Sequence, residues 1–217
     1  MSFVKELEEK MAIERRKLLE TVLEYLHSVG VDAQLSEEAA ADVYGNTINE
    51  PVVKITGRNI DSIRVTSSDY FGCGMPETIS RFHYEISLGK KLDSEMVKQI
   101  GTRIEYEREN KKLGLFGGEI TGIRWTGGEL AELLNGDKDI YSVLLDCSRS
   151  PGNPEFQVKL KTLNTAEILG PRFADLWHIQ EMFKRGIEGG FEECVFGFKT
   201  ADKIAGHIRD LTKTHSQ

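Results

Sequence analysis

The sequence is poor in cysteine and has no long hydrophobic run. Its three cysteines, Cys73, Cys147 and Cys194, are odd in number and far apart, which fits neither a disulfide framework nor a paired Cys-x-x-Cys zinc site. No apolar stretch reaches the roughly 18 residues of a membrane-spanning helix, and the N-terminus is charged from Lys5 onward rather than built like a signal peptide. We therefore expect reduced thiols, no membrane contact and a cytoplasmic location.

A basic surplus is also missing. The 217 residues carry 35 acidic and 28 basic side chains, a formal net charge of -7, whereas nucleic-acid-binding proteins usually present a basic face. The charge therefore argues against nucleic acid as a partner. One local exception lies near Tyr70 and Phe71, where the predicted strands carry the basic residues Lys54, Arg58, Arg64 and Arg81.

Motifs with a known chemistry are absent too. The glycine-rich residues 114 to 122 match neither a dinucleotide-binding Gly-x-Gly-x-x-Gly nor a P-loop, since no Lys-Ser/Thr pair follows them. The five histidines form no His-x-His or His-Glu-x-x-His pattern, and His178 with Glu181 supplies only two metal ligands. The sequence therefore predicts no metal, no cofactor and no identifiable catalytic residue, and it leaves open whether the protein is an enzyme.

A long amphipathic helix is predicted at the start of the chain. Apolar residues recur every three or four positions from Phe3 to Val29, and Gly30 ends the pattern. The apolar stripe is broad after the charged residues 14 to 17 and narrow before them. We expect the second half of this helix to pack on the protein, and the first half to project with charged flanks suited to a partner helix.

The rest of the chain mixes short strands with helices. Alternating apolar and polar residues predict strands at residues 52–55, 63–65, 82–88, 120–125, 156–160 and 194–198. Further helices are predicted from residue 36, at residues 93–110, from residue 127, and at residues 171–185 and 201–212. Because an alternating strand has one wet face, the expected fold class is α+β, with one or more antiparallel or mixed sheets and flanking helices.

Two subdomains are expected. Residues 111 to 118 combine charge with glycine, a composition typical of a boundary. The prediction is an N-terminal subdomain at residues 1–112, which comprises the long helix and an α+β unit, and a second α+β subdomain at residues 113–217.

Residues 67 to 76 form the most unusual local sequence. Glycines on both sides of Cys73 permit positive φ angles and leave its sulfur accessible, and Tyr70 and Phe71 precede it. His83, on the polar face of the following strand, is a base that could activate a thiol if the two side chains met. These four residues are the candidate ligand-binding or partner-binding site, and an ordinary connection between strands is the alternative.

Two functional hypotheses follow. The first is a non-enzymatic module that binds itself or a protein partner, as a homo-oligomer formed through the N-terminal helix. The second is a small-molecule-binding protein or enzyme with a pocket between the two halves near Cys73 and His83, because junctions between domains are common places for pockets.

Overall fold

A computed structural model describes residues 3–41, 47–72, 75–89, 91–108, 120–148, 156–174 and 196–214. Within these ranges the helices are α1 (Phe3–Ser28), α2 (Ser94–Ile100), α3 (Glu129–Gly136), α4 (Lys138–Ser148) and α5 (Phe198–Thr214). The strands are β1 (Asp32–Ala41), β2 (Thr47–Thr56), β3 (Ser62–Gly72), β4 (Met75–Ser87), β5 (Thr102–Arg108), β6 (Ile120–Gly127), β7 (Gln157–Thr162) and β8 (Thr165–Ala174). The protein is thus of the α+β class with a long N-terminal helix, as predicted.

The eight strands form one antiparallel sheet in the order β1-β2-β3-β4-β8-β7-β5-β6. Their register aligns one row across the sheet, Leu35, Val53, Ile63, Tyr84, Ile168, Val158 and Thr102. Five members of this row are apolar side chains of the main core. Since side chains alternate along a strand, the residues between them point to the opposite face, which carries most of the charged groups.

Helix α1 packs across β1, β2 and β3. Leu18, Leu19, Val22 and Leu26 are almost fully buried, so the second half of the helix packs on the protein as predicted. Ile13, one turn before these residues, is 56% exposed. At 3.6 residues per turn, Ile13 lies on the opposite side of α1 from this buried face, together with the exposed Glu24.

An aromatic cluster joins the start of α5 to the sheet. Phe196 packs against Phe82 with ring centroids 4.8 Å apart and stacks on Phe198 at 5.7 Å. The hydroxyl of Tyr84 donates a hydrogen bond to the carbonyl of Phe196. These contacts pack one face of β4 against the residues at the start of α5. The polar residues described below lie on the other face of β4.

Two secondary-structure predictions were wrong, and two more are contradicted at those of their residues that the structure describes. The helix expected from residue 36 is the strand β1, because its alternate residues pair with β2 and place Glu38 against Lys54. The helix expected at residues 93–110 ends at Gly101, and β5 follows. Of the helix expected at residues 171–185, residues 171–174 belong to β8 instead, and the rest lies outside the described residues. The strand expected at residues 194–198 is described from Phe196 onward. Gly197 has a positive φ of 68° and α5 begins at the next residue, so residues 196–198 do not form a strand.

Strands from both predicted subdomains share the sheet. β4, from residues 1–112, pairs with β8, and β5, also from that part, lies between β7 and β6. The division into two units stays a prediction.

Cys147 is buried and disulfide-bonded. The expectation that all three thiols are reduced is therefore wrong. Among the helices of the described ranges, none is long and apolar enough to cross a membrane.

Candidate functional site

The predicted loop at residues 67 to 76 is mostly a β-hairpin. Tyr70 and Phe71 belong to β3, where they pair with Glu77 and Pro76 of β4. Cys73 lies outside the described residues, so its convergence with His83 stays a prediction. Of the four candidate residues, His83 is the one whose side-chain contacts the structure describes.

His83 lies between a hydroxyl and a carboxylate. Its Nδ1 is 2.9 Å from Oε1 of Glu167, and its Nε2 is 2.7 Å from Oγ1 of Thr66. Thr66 is in β3, His83 in β4 and Glu167 in β8, which are consecutive strands of the sheet. We call this chain of Thr66, His83 and Glu167 the polar relay.

A β-bulge sets the position of His83. The register of β4 against β8 shifts between Arg81 and His83, and bulges of this kind change the direction of side chains beside functional sites. Gly170 lies on β8 at the shift, where an added Cβ would be 2.8 Å from Cε2 of the buried Tyr84 ring. The close approach of the two strands at the bulge therefore depends on this glycine.

Glu167 is a buried carboxylate whose charge is retained. It is 5% exposed and also contacts Lys159, whose Nζ is 2.9 Å from Oε2. Burial raises the pKa of Glu167, but the hydrogen bonds from His83 and Lys159 outweigh burial and lower the pKa from 4.5 to about 2. At neutral pH Glu167 therefore accepts hydrogen bonds and donates none.

The charge of Glu167 fixes the hydrogens of the relay. Because Glu167 accepts, Nδ1 of His83 carries the hydrogen that is donated to it. When the imidazole is neutral, Nε2 then has a free lone pair, and the hydroxyl of Thr66 donates to it. The relay thus polarises the Thr66 hydroxyl towards an alkoxide.

A second carboxylate, which is partly buried, anchors the neighbouring cations. Glu85 contacts Nε of Arg64 at 3.1 Å and also contacts Lys161. Burial raises the pKa of Glu85, but the hydrogen bond from Lys161 and the charge of Arg64 outweigh burial, so the pKa lies below its usual range. Arg64 in turn contacts Glu38 of β1 and lies 3.8 Å from Glu50 of β2. Its guanidinium is therefore held beside the relay by three carboxylates.

A cavity of about 580 Å³ opens at the relay. Its walls include Thr66, His83, Glu167, Arg64, Lys159 and Lys161. These side chains come from β3, β4, β7 and β8, and hence from both predicted halves of the chain. The volume falls in the range of roughly 300–1,000 Å³ that is usual for small-molecule sites.

A second cavity, of about 420 Å³, lies between the end of α1, helix α4 and the start of α5. Its apolar walls include Tyr25, Val29 and Ile140. Lys203 at this cavity is bound by Asp139 at 2.7 Å. No histidine is among the described residues that line this second cavity, so the cavity at His83 is the stronger candidate.

Metal binding finds no support in the residues that the structure describes. Among them no three histidine, cysteine, aspartate or glutamate side chains come together in a group that could hold a metal ion. The carboxylates nearest to His83 are already bound by lysine and arginine side chains.

Comparison with known proteins adds no assignment. No protein-family model, no curated protein and no solved structure matches the chain. The function is therefore argued from the geometry and charge of the site alone.

Sequence reasoning selected His83 but missed its partners. Glu167 is 84 residues away from His83, and Thr66 is 17 residues away. One signal was present: Glu167 is the single charged residue in the otherwise uncharged stretch 165–171. A charge in such a stretch needs a partner when the strand is buried.

Proposed function

We propose that the protein binds a small polar molecule with an anionic group in the cavity at His83. The observation that carries this proposal is the cavity itself, in which three cations surround the polar relay. This is the second of the two hypotheses, with the pocket at His83.

The cytoplasmic location expected from the sequence stays a prediction. The disulfide at Cys147 argues against it, because disulfides are rare in the cytosol.

The cations of the cavity differ in their freedom to contact a ligand. The side chain of Arg64 is 15% exposed and is fixed by its carboxylates. The side chains of Lys159 and Lys161 are 48% and 45% exposed, each with one glutamate contact. Because an ammonium group has three N–H donors, either lysine can donate to an incoming anion while it keeps its glutamate contact.

The walls of the cavity also limit the ligand. Glu50 and Glu167 line it beside the three cations, and Glu38 and Glu85 contact Arg64 as well, so the charges of the site are close to balance. A small monoanion or dianion fits this balance better than a long polyanion, which agrees with the acidic net charge of the chain.

Titration with succinate tests the proposal. We expect succinate to shift the backbone amide NMR signals of Thr66 and His83, and the uncharged analogue succinamide to leave them unchanged. Lys159→Gln should weaken succinate binding by about tenfold, since a hydrogen bond to a charged group contributes about 1.5–3 kcal/mol. Lys54→Gln is the matched control, because Lys54 lies on the same sheet and pairs with Glu38. Inorganic phosphate is a second anionic probe. The proposal would be contradicted if neither succinate nor phosphate bound, or if Lys159→Gln and Lys54→Gln weakened succinate binding equally.

We also propose self-association through the first half of α1, as a second candidate function. The supporting observation is Ile13, a large apolar side chain that is 56% exposed in the first half of the helix, on the side away from the sheet. Ile13→Asp should lower the mass measured by light scattering from that of a dimer to that of a monomer, whereas Glu24→Gln, on the exposed side of the second half, should not. A monomeric wild-type protein would remove this candidate.

A further inference from the structure

The polar relay runs from an exposed hydroxyl to a buried carboxylate. Thr66 is exposed and lines the cavity, whereas Glu167 is 5% exposed at the other end. The two contacts, at 2.7 Å and 2.9 Å, are both within hydrogen-bond reach. A hydroxyl, a base that contacts it and a third group that orients the base are the three parts of an activated nucleophile.

Glu167 is itself fixed in place. One of its oxygens accepts from His83 and the other contacts Lys159, so the carboxylate cannot rotate away without losing a charged partner. In the sheet register Lys159 lies directly opposite Glu167, and Arg64 lies directly opposite His83. The relay therefore has a cation on either side of it.

We propose that the cavity catalyses acyl transfer from small anionic esters, with Thr66 as nucleophile and His83 as general base. The substrate class is a half-ester of a dicarboxylic acid, in which the free carboxylate meets the cations of the cavity. This inference rests on the proposed function, since it requires an anionic ligand at the same site. Glu167 is a positioning residue that keeps His83 in the tautomer with a free Nε2.

The reaction balances without any further reactant except water. As Oγ1 of Thr66 bonds to the ester carbonyl carbon, its proton passes to Nε2 of His83, and the carbonyl oxygen becomes an oxyanion beside the cations. The bond from carbon to the leaving oxygen then breaks, and Nε2 returns the proton to that oxygen to release an alcohol. Water, deprotonated by His83, attacks the acyl-threonine in the same way and releases the carboxylic acid and the free Thr66 hydroxyl.

Mono-4-nitrophenyl succinate is the probe, because it carries an ester and a free carboxylate. We expect nitrophenolate release with an initial burst, and a succinyl group on Thr66 in the peptide mass spectrum. Thr66→Ser keeps a hydroxyl and should retain the adduct at residue 66. Thr66→Val and His83→Gln should each lower the rate of release by about 100-fold or more, the usual effect of losing a general base or its nucleophile. Thr56→Val, at another exposed strand threonine, is the matched control and should not change the rate.

Two further readouts separate the parts of this inference. In Glu167→Gln the ¹⁵N shifts of the His83 imidazole should move towards the other tautomer while succinate still binds, an outcome that mere loss of packing would not produce. An unmodified Thr66 in the wild-type protein, or full activity of Thr66→Val, overturns the acyl-transfer inference. If succinate still binds in that case the proposed function stands, and if succinate does not bind both are overturned.

Discussion

Glu85 and Glu167 lie directly opposite each other on the neighbouring strands β4 and β8. Like charges that face each other across a sheet destabilise it, and here each carboxylate has its own cations, Arg64 and Lys161 at Glu85 and Lys159 at Glu167. The arrangement divides the polar face into two linked charge clusters. The cluster at Glu167 includes the imidazole, and it is the one on which the proposed chemistry depends.

The charge of Glu167 should stabilise the fold in a pH-dependent way. Its pKa is lowered from 4.5 to about 2, so its contribution is fully present above pH 4.5 and is lost as the pH falls towards 2. A shift of this size corresponds to about 3 kcal/mol at most. In urea unfolding at neutral pH, Glu167→Gln should have a lower free energy of unfolding than the wild type, and the difference should shrink below pH 4.5. The exposed substitution Glu24→Gln should show no such trend, and a difference for Glu167→Gln that is constant down to pH 3 would contradict the assignment.

The long helix α1 and the central strands could be predicted from the sequence. Both depend on local periodicity, which Leu18, Val22 and Leu26 show for the helix and Phe82, Tyr84 and Ile86 show for β4. β1 was missed because a run of glutamate and alanine is typical of helices, and its strand form depends on pairing with β2. Such pairing is a tertiary interaction that a local pattern does not contain.

The site was less predictable than the fold. The alternation of β4 correctly places His83 on the polar face, but the strand beside β4 is β8, which follows it by nearly 80 residues. The pairing of His83 with Glu167 depends on that strand order and on the bulge after Arg81. Neither feature has a signal in the neighbourhood of His83.

Gly170→Ala should destabilise the protein. The added Cβ would be 2.8 Å from Cε2 of Tyr84, a fully buried ring. Overpacking of this kind costs about 1–3 kcal/mol, measured as a lower free energy of unfolding. Gly136→Ala is the control, since no atom lies within 4 Å of the added Cβ there. Equal stability of the two variants would show that the bulge relaxes more readily than its packing indicates.

Asn135 binds both backbone polar groups of Trp125 in β6, the last strand in the sheet order of the described residues. Its side chain accepts from the amide of Trp125 at 2.8 Å and donates to the carbonyl of Trp125 at 2.9 Å. Asn135→Ala should lower stability by about 1–2 kcal/mol and promote association at high concentration, because a free strand edge is a template for pairing. Asn135→Asp keeps only the acceptor, and its stability should lie between those of the wild type and Asn135→Ala. A fully monomeric and equally stable Asn135→Ala protein would contradict this role.

The tautomer of His83 is the most direct test of the account. We predict that, at a pH where the ring is neutral, long-range ¹H–¹⁵N NMR spectra will show the hydrogen on Nδ1 and a bare Nε2, because the ionised Glu167 lies 2.9 Å from Nδ1. Succinate should then perturb these signals. A hydrogen on Nε2, with a bare Nδ1 facing Glu167, would contradict both the relay and the function proposed for it.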